Sequence, residues 1–132
     1  MKHLTRAESG LTPREYTMLA KLSTPIKIQD FLDGLPMNWE KKGETHMSPR
    51  CVLHKRKAHC IEGALLAAAA LWIAGEPPLI MNLSARLGRG DVDHVVALYK
   101  RGNRYGAISK TNHATIRFRD PIYRTPRELA LS

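Results

Sequence analysis

Residues Ala58–Gly75, AHCIEGALLAAAALWIAG, decide the fold. From Cys60 to Ala74 the stretch holds six alanines with Leu and Ile between them, Glu62 in its first turn, and Gly75 after its last. These are helix-forming residues, with an acid at the positive end of the dipole and a glycine where the helix should stop. Apolar side chains fall on every side of it, so it should be a buried central element, and its alanines let neighbouring backbones come close. Its longest apolar run, Ala64 to Ala74, has 11 residues, whereas a bilayer span needs about 20. It is a core helix.

Start signals recur on the N-terminal side. Thr12-Pro13-Arg14-Glu15 is a capping box with proline at the first helical position and predicts a helix from Pro13 to about Leu22. Thr24-Pro25 repeats the signal, and Ile28, Phe31 and Leu32 form an apolar face that stops at Gly34. Asn38 to Met47 is polar, with Trp39 expected to pack back on the core, and Ser48-Pro49 opens a short helix to about His54.

On the C-terminal side Pro77-Pro78 forbids more helix, and Leu79–Leu83 reads as a short buried strand. Strands over Asp93–Tyr99 and Tyr105–Ser109 flank a hairpin with Gly102-Asn103 at its tip. Ala114–Arg119 alternates apolar and basic residues and predicts another strand. Thr125-Pro126-Arg127-Glu128 is one more capping box, so close to Ser132 that it reads as a final helix left incomplete or a trimmed chain. The whole predicts one α+β domain over residues 1–132: N-terminal helices and a central buried helix (1–75) packed against an antiparallel sheet (79–120).

With 43% hydrophobic and 25% charged residues, both spread along the chain, the composition is that of a folded protein. Met1–Gly10 lacks the apolar run of a secretory signal, and two cysteines are more readily thiols than a bridge, so the expectation is a cytoplasmic protein with no membrane segment. The net charge of +9 raises nucleic acid or an acidic partner as ligands. Its basic residues are dispersed, however, as on a solvated face.

The chemistry centres on Cys60. A thiol attacks only as thiolate, and the opening of a helix favours that form through unpaired N–H groups and the dipole. A base must then come from another element, and His94, opening a strand beside the helix, is the candidate. Read generically, the same residues are a small buried cysteine and an ordinary strand histidine.

The order of elements, with Ala58-His59-Cys60-Ile61-Glu62-Gly63-Ala64, Ala74-Gly75-Glu76-Pro77-Pro78 and Asp93-His94-Val95-Val96-Ala97-Leu98-Tyr99, resembles the transglutaminase-like superfamily, relatives of papain-like cysteine peptidases. The similarity runs from about Ser48 to Arg119. It looks closest to small bacterial transglutaminase-like proteins of unassigned substrate, which share stretches like Gly106–His113 and Arg119–Tyr123. The resemblance implies a cysteine that attacks an amide or peptide carbonyl and a histidine that shuttles the proton, roles falling on Cys60 and His94, with no metal or organic cofactor.

A third residue should orient the histidine, and here the chain departs from the pattern: the usual aspartate position is Ser109. Pairing across Gly102-Asn103 sets His94 opposite Thr111, on one face with Ser109 and His113. Asn112 is the preferred third residue because its amide oxygen can hold the imidazole tautomer, although it would point away unless a bulge or the strand end turns it. Ser109 is the alternative and implies a weakened site. The backbone N–H of Cys60 can supply one oxyanion donor. Gln29 and Trp39 are candidates for the second, each read otherwise as a surface glutamine and a packed tryptophan.

Two rival chemistries remain. Cys51, His54, His59 and Cys60, with His94 and His113, could mean zinc, but only Cys51-x-x-His54 has the spacing of a ligand pair. Alternatively the fold is a basic binding module for nucleic acid or an acidic partner, although aromatics at 6% of the chain are too sparse for a stacking platform.

Overall fold

The computed structural model describes residues 3–39, 46–83, 94–111 and 118–131. In chain order the helices and strands are α1 (Arg6–Ser9), α2 (Pro13–Ala20), α3 (Pro25–Asp33), α4 (Pro49–Lys55), α5 (Cys60–Ile73), β1 (Leu79–Leu83), β2 (His94–Arg101), β3 (Arg104–Ile108), β4 (Phe118–Tyr123) and α6 (Pro126–Ala130). The protein is an α+β fold. Hydroxyls open every described helix but one: Thr5, Thr12, Thr24, Ser48 and Thr125 each accept from the backbone N–H three residues on. Proline follows the cap in α2, α3, α4 and α6, where its fixed φ suits the first turn and its missing N–H is no loss.

Helix α5 lies at the centre as its all-round apolar sequence requires. Leu66, Ala67, Ala70, Leu71 and Ile73 are buried in one cluster with Leu19, Ile28, Leu32 and Val52 from the helices and with Ala97, Tyr99 and Ile108 from the sheet. The sheet is an antiparallel meander in the order β1-β2-β3-β4. Leu79 pairs with Leu98 and Leu83 with His94. Across the hairpin Ala97 pairs with Ile108 and Arg101 with Arg104. Gly102 stands at φ +62°, the left-handed conformation a two-residue hairpin turn needs at its first position.

Both faces of the sheet are covered. Ala97 and Tyr99 of β2 join the α5 core, while Val96 and Leu98 pack with Ala107 and with Leu129 of α6. That double coverage bears on where His94 sits.

One expectation is corrected, and the described part of another is extended. Trp39 is 66% exposed rather than packed on the core. The last strand is Phe118–Tyr123 and runs through Pro121; of the expected Ala114–Arg119 strand, residues 114–117 lie outside the described ones. Among the described residues β4 is the end strand of the order and pairs on one side only, so a proline can be accommodated on its other side.

Helices α2 and α4 are tied by Glu15, which is buried. Its carboxylate accepts from the Thr12 N–H at 2.8 Å and from Arg50 Nε at 3.0 Å, and lies 2.5 Å from His54 Nε2. The Thr12 backbone N–H foremost, with His54 next, holds its pKa at about 2 instead of 4.5. A carboxyl with a depressed folded pKa stabilises the fold above its unfolded value and loses that contribution as pH falls through the folded one. The thermal unfolding temperature should therefore drop as pH falls from about 5 to about 2, and Glu15→Gln should flatten that part of the profile while leaving its shape near pH 7. An unchanged acid limb in the variant would refute this role.

Candidate active site

Cys60 is the first residue of α5 and half-buried. Its helix alone lacks a hydroxyl cap: His59 precedes it, and Glu62 does the capping from inside. Glu62 is fully buried. One carboxylate oxygen accepts from His59 N at 3.1 Å and Asn38 Nδ2 at 2.9 Å, and the other from Met47 N at 2.8 Å. The opening of α5 is thereby bonded to the chain that follows α3 and to the chain that leads into α4. A buried carboxylate is tolerable only when so satisfied, and here the bonds fix the turn that carries the thiol.

One turn on, Gly63 lets β3's continuation press against the helix. A Cβ there would stand 2.5 Å from Lys110 Cβ. Lys110 is itself buried, and its ammonium donates to the Leu32 carbonyl at 2.8 Å and to that of Leu35, capping the end of α3. Gln29 does the corresponding work for Ser109. Its amide donates to Ser109 O at 2.9 Å and to Asp33 Oδ1 at 2.9 Å, and its oxygen accepts from Ser109 N at 3.1 Å. The carboxamide thus pairs with the Ser109 backbone as a neighbouring strand would.

Gln29 is therefore neither a surface residue nor an open donor for an oxyanion, because its N–H groups are engaged. Trp39, the other candidate donor, is out in solvent. Ser109 is fully buried, one residue beyond β3. The β2–β3 ladder runs from Arg101–Arg104 to Ala97–Ile108, and Thr111, also buried, lies three residues beyond the end of β3. Asn112 and His113 lie outside the described residues.

His94 opens β2, paired with Leu83, and its Nε2 is buried. It lines a hollow of about 180 Å³ with Val96, Ala107, Arg119 and Leu129. By strand alternation it shares the α6 side of β2 with Val96, whereas α5, which carries Cys60, covers the side of Ala97 and Tyr99. The structure brings helix and strand together, with Ala97 and Tyr99 of β2 in the same buried cluster as the α5 side chains.

The zinc alternative rests on residues of which His113 lies outside the described ones. Cys51 is exposed, His54 pairs with Glu15, and no group of three or more His, Cys, Asp or Glu among the described residues could hold a metal ion. No described helix is long and apolar enough to cross a membrane. Compared with family models and with curated proteins, the chain matches none.

Residue-type reasoning overlooked Asn38, Met47 and Lys110. A capping-box reading of Glu62 against His59 was available in the spacing; the long-range partners carry no local signal.

Proposed function

We propose that the protein is a transglutaminase-like cysteine hydrolase or acyltransferase working on amide or peptide bonds of a peptide or protein. The observation that carries the reading is Cys60 as first residue of the buried, 14-residue α5, in a turn bonded through Glu62 to Asn38 and Met47. Such a thiol is held in one place, at the positive end of a long helix, and half open to a substrate. Both cysteines are free, which fits a reducing, cytoplasmic setting.

In this reading the Cys60 thiolate adds to the carbonyl carbon, and the backbone N–H of Cys60 donates to the oxyanion. Collapse breaks the C–N bond, the amine leaves with the proton that the imidazolium of His94 returns, and a thioester remains. Water or a second amine then attacks the thioester and restores the thiol. Asn112, or Ser109, would orient His94. No cofactor enters the scheme.

Cys51, exposed on α4, is a built-in reference. Iodoacetamide at about pH 6 should alkylate Cys60 at least about tenfold faster than Cys51, and His94→Ala should abolish the difference. If Cys60 reacts no faster than Cys51 with His94 present, the nucleophilic reading fails.

The position of His94 on the α6 side of β2 favours a second reading, a fold that keeps the scaffold and binds an acidic partner or nucleic acid through its +9 charge. It predicts equal alkylation of the two thiols and retention of nucleic acid that weakens steeply with salt.

A further inference from the structure

The proposed chemistry makes no use of a cleft of about 390 Å³ between α2 and α4. Arg14, Arg50, Arg56, His54 and Glu15 line it, with Met18 and Leu53 as its apolar wall. Three guanidiniums thus meet one carboxylate. Glu15 is already matched by Arg50, whose Nε lies 3.0 Å from its oxygen, and by His54. Arg14 and Arg56 pair with no carboxylate among the described residues.

Arg56 also has an unusual backbone. It ends α4 at φ 58° and ψ 38°, the left-handed conformation, with its N–H on Val52 O. Every other described residue with positive φ is a glycine: Gly10, Gly75 and Gly102. Glycine would close α4 without strain, so what an arginine adds at this position is its guanidinium in the cleft.

We propose that this cleft binds a small molecule through a diphosphate-class anion, gripped by Arg14 and Arg56 above the Glu15–Arg50 pair. Two guanidiniums with no carboxylate partner among the described residues call for at least two negative charges, and their planar forks suit phosphoryl oxygens. The volume exceeds that of one oxyanion. The lining offers no Trp, Tyr or Phe on which bases could stack, which separates the site from a single-strand nucleic-acid groove.

The probe is inorganic pyrophosphate, titrated by calorimetry into the intact protein at about 150 mM salt. Saturable binding at one site is expected, with Arg14→Gln and Arg56→Gly each weakening it at least about tenfold, and acetate giving no saturable signal. Arg56→Gly should leave the melting temperature unchanged or higher, because it removes the left-handed arginine, so its binding defect cannot be misfolding. Absence of saturable binding, undiminished binding in both variants, or equal binding of acetate would overturn the proposal. Displacement of pyrophosphate by an oligonucleotide of at least about tenfold higher affinity would overturn the small-molecule assignment.

Discussion

Glu62→Ala should cost about 4 kcal/mol of stability, close to the whole margin of many small domains. The substitution removes a fully buried carboxylate and with it the acceptor for the Asn38 amide and for the His59 and Met47 N–H groups. Each of those donors is then left in the interior without its partner, which costs more than the bond itself contributes. Glu62→Gln keeps the shape and one acceptor oxygen but turns an N–H toward a donor, so it should fall between wild type and alanine. Urea unfolding monitored by circular dichroism reads the order directly. An alanine variant within about 1 kcal/mol of wild type would mean that the three segments are not held by this carboxylate.

Gly106→Ala should be comparably severe, at about 3 kcal/mol, from overpacking rather than a lost bond. Gly106 pairs with Tyr99 across the hairpin, and the ladder to β4 is irregular between Tyr105 and Ala107. The Tyr99 ring lies over this gap, stacked on Phe118 at 5.9 Å between centroids, and its hydroxyl donates to Arg119 O at 3.1 Å. Burial pushes the Tyr99 phenol up to about 12. An added Cβ would stand 2.5 Å from Tyr99 Cζ and 2.6 Å from Arg119 O. Neither can yield cheaply, since one is a rigid ring atom and the other backbone. A urea midpoint within error of wild type would show that the ring does not occupy this position.

The helices were legible because their starts are written in adjacent residues. Thr12-Pro13 and Ser48-Pro49 cap and open α2 and α4 in the structure, and Leu79–Leu83 is β1 residue for residue. Helix α1 escaped notice although Thr5 and Glu8 form a capping box and Gly10 ends it, because none of its residues is buried and no apolar period marks it. The site was legible only where it is local. Cys60 and its helix opening could be read from one short segment, whereas Gln29 meets Ser109, and Lys110 meets Leu32, across most of the chain. A glutamine or lysine that closes a distant backbone gap has the same letter as one in solvent.

The side of β2 that His94 occupies was illegible for another reason. Alternation assigns a face when one side is polar, but Val95, Ala97 and Tyr99 are as apolar as Val96 and Leu98, since α5 covers one side and the α6 cluster the other.

The junction at Pro77-Pro78 separates α1–α5 from the sheet and α6 along the chain. Cut there, the first fragment would bare the α5 surface that meets Ala97, Tyr99 and Ile108, and the second would strand the Lys110 ammonium away from the Leu32 and Leu35 carbonyls. The second fragment keeps the small cluster around Val96, Leu98, Ala107 and Leu129, but the main core is shared between the two parts, so insertions that leave each intact but hold them apart would be as disruptive as a deletion.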